Sequence, residues 1–240
     1  MAKKGSGNEA TTGEPVSWRE LAVARSLDSA RTRAENRVQR FLDAALELME
    51  GDSKEFTVQE VVERSGQSLR SFYQYFGGKH ELLLALFEES VRSAADQVRQ
   101  KVARESDPRE RLHRFVVDYY RVCRPSPKET SPKDASLKKV PSPSPVLVEF
   151  AQQLLTAHPN EASRAFVPLV TLFDEILDEA AEAGVIRPEI RRRAVAGMVL
   201  EAIMFNAFSA TIAGASVHDG DVDGAEELWD LIFRGMAQGR

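Results

Sequence analysis

The sequence has little of what metal proteins and enzymes rely on: its 240 residues include one cysteine, Cys123, and only four histidines. A single cysteine excludes an intramolecular disulfide framework and any multi-cysteine zinc site. The histidines, at positions 80, 113, 158 and 218, are widely scattered and lack the spacing of metal ligands. No nucleophile elbow, phosphate loop or catalytic carboxylate pair is recognisable. We therefore expect no catalytic residue, no metal and no cofactor.

Long hydrophobic runs are also scarce. The first 18 residues lack the apolar segment of a secretory signal, which, with the single cysteine, predicts a cytoplasmic location. Residues 194–215 are long enough to span a bilayer and carry one charge, Glu201. Because Asn206, Ser209 and Thr211 reduce the apolarity of this stretch, we favour a doubly buried helix and no membrane contact. A membrane-anchored helical protein is the less favoured alternative.

Charge is distributed unevenly along the chain. Residues 1–80 carry 12 basic and 12 acidic side chains, whereas residues 146–240 carry 7 and 15. This distribution argues against a nonspecific basic nucleic-acid binder. An acidic C-terminal region remains compatible with DNA binding by the N-terminal region, since phosphate contacts depend on local charge.

The most specific pattern lies at residues 56–83. Thr57 followed three residues later by Glu60 is a capping box, which predicts a helix start. Gly66 supplies the left-handed residue of a tight corner, and Ser68 caps the next helix. Two short helices joined in this way predict a DNA-reading helix-turn-helix.

The second short helix has an inner and an outer side. Phe72 and Phe76 can be buried together, which leaves the other side chains facing outward. Among these, Arg70 has the donors to contact guanine, and Gln74 can read adenine or bind phosphate. Contacts to the phosphate backbone are assigned to Ser68, Ser71, Tyr73 and Lys79. The outward set of the helix itself is Leu69, Arg70, Ser71, Tyr73 and Gln74.

This segment resembles the DNA-binding domain of the TetR-type bacterial repressors. The resemblance rests on the Thr-Val opening, Glu60, Glu63-Arg64, Gly66, Ser68, Tyr73, Phe76, and Lys79 opening a helix with Leu82 and Leu83. The chain departs from the family pattern at Gln67, at Tyr75 and at Gly77-Gly78. The resemblance implies a homodimer that binds a double-stranded DNA operator, and the candidate DNA-binding residues are Thr57, Ser68, Leu69, Arg70, Ser71, Tyr73, Gln74 and Lys79.

Apolar spacing elsewhere predicts an all-α chain. The DNA-binding domain is placed at residues 31–80 and a larger helical effector-binding and dimerisation domain at residues 81–240. The expected helices run from about Arg33 to Glu50, Lys79 to Glu105, Pro108 to Cys123, Pro145 to His158, Glu161 to Ala183, Pro188 to Ala213 and Gly224 to Met236. Six prolines at residues 125–145 predict a loop inside the second domain.

Residues 1–30 are interpreted as a flexible arm. An extra DNA contact through Lys3, Lys4, Arg25, Arg31 or Arg33 is one reading of this arm. A disordered leader is the favoured one.

The resemblance also implies an effector pocket, with release of a repressor from its operator when a small apolar or amphipathic ligand, lipid-like or aromatic, is bound. The candidate pocket residues are His113, Tyr119, Tyr120, Phe150, Phe173, Met198 and Asn206. Each aromatic side chain among them is more often plain core. A ligand-independent DNA-binding adaptor, whose body only dimerises or recruits a partner, is the alternative.

Overall fold

A computed structural model describes residues 17–50, 55–123, 145–212 and 224–237. Regular structure in these ranges is helical, which confirms the all-α prediction, and a single isolated bridge joins Ile186 to Ala237. The helices are α1 (Trp18–Glu50), α2 (Val58–Ser65), α3 (Leu69–Tyr75), α4 (Lys79–Val102), α5 (Pro108–Cys123), α6 (Pro145–Ala157), α7 (Pro159–Glu182), α8 (Arg192–Ile212) and α9 (Gly224–Met236).

The first helix begins far earlier than the sequence pattern predicted. α1 starts at Trp18 instead of about Arg33, so residues 18–30, interpreted as part of a flexible arm, are helical. These residues contain no glycine or proline and are rich in Ala, Leu and Arg, which favour helix even where no core covers them. Lys3 and Lys4 lie outside the described residues.

α8 begins later than predicted, at Arg192 instead of about Pro188. The preceding residues pair with the end of α9: the N–H of Arg187 donates to the carbonyl of Met236 at 2.9 Å, and Ile186 is fully buried beside it. After this pairing the chain turns at residues 188–190, where the N–H of Ile190 donates to the carbonyl of Arg187 at 3.3 Å, and α8 starts only then. The C-terminal helix is thereby fixed to the corner between α7 and α8.

The predicted start of α5 is confirmed by its cap. One oxygen of Asp107 accepts the N–H groups of Arg109 at 2.9 Å and Glu110 at 3.0 Å, and Pro108 opens the helix. Residues 124–144, most of the predicted proline-rich loop, lie outside the described residues. Among the helices that the structure describes, none has the length and apolarity to cross a membrane.

α4 is the element shared by the two halves of the molecule. It packs against α1 and also against α5, α6 and α7. Phe87 of α4 meets Phe166 of α7 with their ring centroids 5.5 Å apart. Any displacement of α7 therefore acts on the helix that carries the helix-turn-helix unit.

Candidate DNA-binding surface and effector cavity

The corner between α2 and α3 is built as the sequence predicted. The N–H of Glu60 donates to Thr57 Oγ1 at 3.2 Å, and the N–H of Thr57 donates to Glu60 Oε2 at 2.7 Å. This backbone hydrogen bond holds the pKa of the Glu60 carboxyl below its usual range. Gly66 ends α2 with φ 64°, a left-handed conformation that side chains disfavour. The capping-box and corner predictions are confirmed.

α3 is held from below by an aromatic cluster of Phe41, Phe72 and Phe76. Phe72 is fully buried, with its ring centroid 5.4 Å from that of Phe41 and 5.3 Å from that of Phe76. At the helix start, Ser68 Oγ accepts the N–H of Ser71 at 3.1 Å. A seven-residue helix is too short to be stable alone, so this aromatic cluster and cap fix its orientation.

The opposite side of α3 faces solvent. Tyr73 is 57% exposed and Leu69 is 42% exposed, and Arg70 and Gln74 are exposed beside them. Arg70 forms no ion pair with any residue that the structure describes. The outward orientation predicted for these four side chains is confirmed, and they form one surface, here called the α3 surface.

Two predicted contact residues do not belong to the α3 surface. The hydroxyl of Ser71 is buried, because this residue lies one turn before the half-buried Tyr75 and shares its flank. Lys79 Nζ donates to the carbonyl of Phe56 at 2.6 Å and lies 4.4 Å from the centre of the Phe56 ring. Lys79 therefore joins the start of α4 to the start of α2, and its contact with a phosphate stays a prediction.

Two of the predicted effector residues lie in the core between α5 and α7. Phe173 is fully buried and stacks on Phe115 with centroids 4.2 Å apart, and Tyr119 is buried one turn further along α5. Tyr119 hydrogen-bonds Cys123, and burial raises the pKa of the Cys123 thiol to about 12. The plain-core interpretation accounts for this group.

The other five predicted residues are dispersed. Phe150 is buried against the ring of His80, and Tyr120 is half-buried near Gly224. His113 pairs with Glu226 at 2.7 Å beside Trp229, which places it under α9. Met198 is 61% exposed and Asn206 is exposed on α8, so these two do not line a pocket within one chain. α8 presents them outward because its inner side is formed by Ala196, Leu200, Ile203, Met204 and Ala207.

A cavity of about 330 Å³ lies between α6, α7 and α8, and its lining includes none of the seven predicted residues. Apolar side chains form much of it, including Leu155, Phe166, Val170 and Leu200. Arg193, Gly197 and Glu201 follow one another along its α8 side at helical spacing. This helical spacing was the only sign of the cavity in the sequence. The same spacing also occurs on a helix side that faces solvent, so it does not identify a cavity wall.

The structure also brings together side chains that the sequence separates. His80 at the start of α4 lies beside His158 and Glu161 at the start of α7, with His80 Nε2 2.9 Å from Glu161 Oε2. The hydrogen bond from His80 lowers the pKa of the Glu161 carboxyl. The expectation that the histidines are dispersed was wrong for this pair, because α4 and α7 begin side by side.

Comparison with known proteins supports this architecture. Residues 41–86 match the family model described as bacterial regulatory proteins, tetR family. These residues span the end of α1, all of α2 and α3, and the first turns of α4. No curated protein matches the sequence at a significant level.

Solved structures share the fold over most of the chain. The fatty acid degradation regulator FadR from Bacillus halodurans is 17% identical with a TM-score of 0.58, covering 83% of this chain and 95% of its own. FadR from Bacillus subtilis in complex with stearoyl-CoA is 15% identical with a TM-score of 0.57, covering 82% and 98%. Thermus thermophilus FadR in complex with lauroyl-CoA is 24% identical with a TM-score of 0.58, covering 85% and 96%. The chain is therefore similar to bacterial regulators of the tetR family at its DNA-binding segment, and it shares the fold of these solved structures over most of its length.

Proposed function

We propose that this protein represses transcription by binding an operator through the α3 surface and is released by an amphipathic acyl ligand. The observation that carries the proposal is the division of α3 into two sides. Phe72 is fully buried, whereas Arg70, Tyr73 and Gln74 project from an orientation that the aromatic cluster fixes. Guanidinium and amide groups so presented suit base edges, and the phenol suits a phosphate.

Operator recognition requires a second copy of the chain. The outward side of α8 exposes large apolar side chains, with Met198 61% and Phe205 40% exposed, and Val167 of α7, 53% exposed, lies at the edge of the cavity beside them. An apolar surface of this kind on a helix pair favours a two-fold symmetric dimer, which presents two α3 surfaces to successive major grooves. The exposure of Met198 thus supports dimerisation in place of the effector contact that the sequence suggested.

The cavity supports an effector of mixed character. Its apolar lining suits a hydrocarbon chain, and the guanidinium of Arg193 can pair with a carboxylate or phosphate, or donate a hydrogen bond to a thioester carbonyl. Two solved relatives of the same fold carry stearoyl-CoA and lauroyl-CoA. Acyl-CoA thioesters are therefore the first ligands to examine.

A route from this cavity to DNA runs through two helices. Phe166 lines the cavity and also makes an edge-to-face contact with Phe87 of α4. A ligand that displaces α7 would tilt α4 and change the separation of the two α3 surfaces. Because coupling is reciprocal, ligand and operator should weaken each other's binding by the same factor.

The DNA-binding proposal is tested by in vitro selection from a random duplex library, followed by affinity measurement on the selected sequence. The triple variant Arg70→Ala, Tyr73→Ala, Gln74→Ala should lose binding while keeping the melting temperature of the wild type. Arg164→Ala, an exposed arginine on α7, is the matched control and should bind normally. Equal operator affinity of the triple variant and the wild type would overturn the assignment.

The dimer proposal is tested by sedimentation. Phe205→Arg places a charge in the proposed contact and should yield monomers, whereas Leu231→Arg, at a position 72% exposed on α9, should leave the dimer intact. Ala207 is unsuitable for this test because it is fully buried within its own chain. A monomeric wild type at micromolar concentration would contradict the proposal.

The effector proposal is tested by titrating lauroyl-CoA, stearoyl-CoA and unacylated CoA into the protein–operator complex. The acyl forms should release DNA and CoA alone should not. Gly197→Leu should block release by filling the cavity, while Gly197→Ala, whose added carbon meets no atom within 4 Å, should still respond. If no acyl compound releases DNA and deletion of residues 126–144 abolishes regulation in cells, the ligand-independent adaptor is the better account.

A further inference from the structure

Two histidines and a glutamate meet where α4 and α7 begin. His80 lies in the first turn of α4, His158 is the residue before α7, and Glu161 lies in the first turn of α7. Each offers one nitrogen or oxygen atom, and these atoms all lie within 4.8 Å of one another. The ring centroids of the two histidines are 4.8 Å apart, and His80 Nε2 is 2.9 Å from Glu161 Oε2.

This arrangement is close to what a metal ion requires. Tetrahedral coordination at about 2.0–2.2 Å places ligand atoms about 3.3 Å apart, so small side-chain rotations would bring all three onto one ion. The side chains of His80 and Glu161 are 40% and 28% exposed, which leaves a path for the ion and room for a water as fourth ligand.

We propose that His80, His158 and Glu161 bind a divalent transition-metal ion such as Zn²⁺. Two imidazoles and one carboxylate suit Zn²⁺, Ni²⁺ or Co²⁺, whereas Mg²⁺ and Ca²⁺ select sites made of oxygen ligands. The bound ion connects the base of α4, directly after the helix-turn-helix unit, to α7, which borders the cavity.

A second histidine–glutamate pair provides an internal comparison. His113 Nε2 lies 2.7 Å from Glu226 Oε2, a spacing similar to that of His80 and Glu161. No third histidine, cysteine or carboxylate joins this pair among the residues that the structure describes. Two ligands alone bind a metal weakly, so this pair should not retain an ion under conditions in which the three-residue set does.

The test is a metal titration of the full-length chain without a histidine tag, after removal of metals by a chelator. Competition with a chromophoric chelator should show one strongly bound Zn²⁺ per chain, and Co²⁺ should give the visible absorption of tetrahedral coordination. Because even second-shell partners change metal affinity by about 10- to 100-fold, His158→Gln and Glu161→Gln should each weaken binding more than about tenfold. His113→Gln should bind as tightly as the wild type.

Two results would overturn the site: wild-type affinity no tighter than that of His158→Gln, or an equal loss in His113→Gln. Melting curves recorded without metal show whether each variant is folded. If the histidine variant does not fold, Glu161→Gln replaces it in the comparison, because Glu161 is partly exposed.

Any effect of the bound ion on DNA binding rests on the proposed function. It is measured separately, as operator affinity with and without Zn²⁺. An unchanged operator affinity would reject coupling between metal binding and DNA binding, and the metal titration would still establish the site. Failure of the apo protein to bind any selected DNA would reject the proposed function alone.

Discussion

The helix-turn-helix unit and the C-terminal body both enclose aromatic rings in contact, but they use them differently. In the first, Phe41, Phe72 and Phe76 hold one short helix, and nearly every neighbouring side chain has a separate local role as cap, corner or outward contact. In the second, Phe115 and Phe173 stack within a long apolar interior shared by α4, α5 and α7. A small unit with distinct local roles can be read from sequence. A long interior of similar apolar residues gives few clues to where a cavity lies.

The largest effect should come from the centre of the aromatic cluster. Phe72→Ala removes a fully buried ring beneath α3 and should lower the free energy of unfolding by about 3–5 kcal/mol. The adjacent Tyr73→Ala, at a position 57% exposed, should change it by no more than about 0.5 kcal/mol. Urea unfolding measures both, and similar losses in the two variants would remove the distinction between the supporting and contacting sides of α3.

The body should be most sensitive where it buries a charge. Asp118 is almost fully buried on α5 and its Oδ1 accepts from Lys101 Nζ of α4 at 3.0 Å. Lys101→Met leaves this carboxylate without its counter-ion and should cost about 3 kcal/mol. Arg99 lies on the same helix as Lys101 and forms an exposed ion pair with Glu175 of α7. Breaking this pair with Arg99→Gln should cost less than about 1 kcal/mol. Thermal melts of the two variants measure this difference. A larger loss of stability in Arg99→Gln than in Lys101→Met would contradict the prediction.

A smaller effect is expected at the α2 cap. Thr57→Ala removes the acceptor for the N–H of Glu60 and should cost about 1 kcal/mol, whereas Thr57→Ser keeps the hydroxyl and should be near neutral.

The same cap predicts a pH dependence. The folded pKa of Glu60 lies below its unfolded value, so the stability contributed by its hydrogen bonds is present above the ordinary carboxyl range and is lost as pH falls through the folded pKa. The difference between the wild type and Glu60→Gln should therefore shrink in acid, because both hydrogen bonds from Thr57 to the carboxylate depend on its charge. A difference that stays constant to pH 2 would argue against the reciprocal cap.

These contrasts explain what could be predicted from sequence. The capping box, the left-handed Gly66 and the outward placement of Arg70 depend on residues within a few positions of one another, and all are present. The orientations of Ser71 and Lys79 could not be predicted, because they depend on Tyr75 and on the carbonyl of Phe56, which only the folded corner brings near. Local rules do not contain that information.

The body was predictable at the level of helices but not of sites. α5 to α7 and α9 lie close to their expected bounds, whereas Met198 and Asn206 were assigned to a pocket although they lie on an exposed side of α8 that does not line the cavity. His80, His158 and Glu161 meet only because α4 and α7 begin side by side, and their separation in sequence hides that contact. Where a site depends on two distant helix starts, neither periodicity nor spacing can show it.

The most direct test of the account is the base preference of Arg70→Ala. In vitro selection should be repeated with this variant and its preferred sequence compared with that of the wild type. If Arg70 reads a base from the α3 surface, preference should be lost at one base pair in each half-site, with a cost of about 1–3 kcal/mol on the wild-type operator and all other positions retained. An unchanged preference and unchanged affinity would contradict the claim that this surface reads DNA.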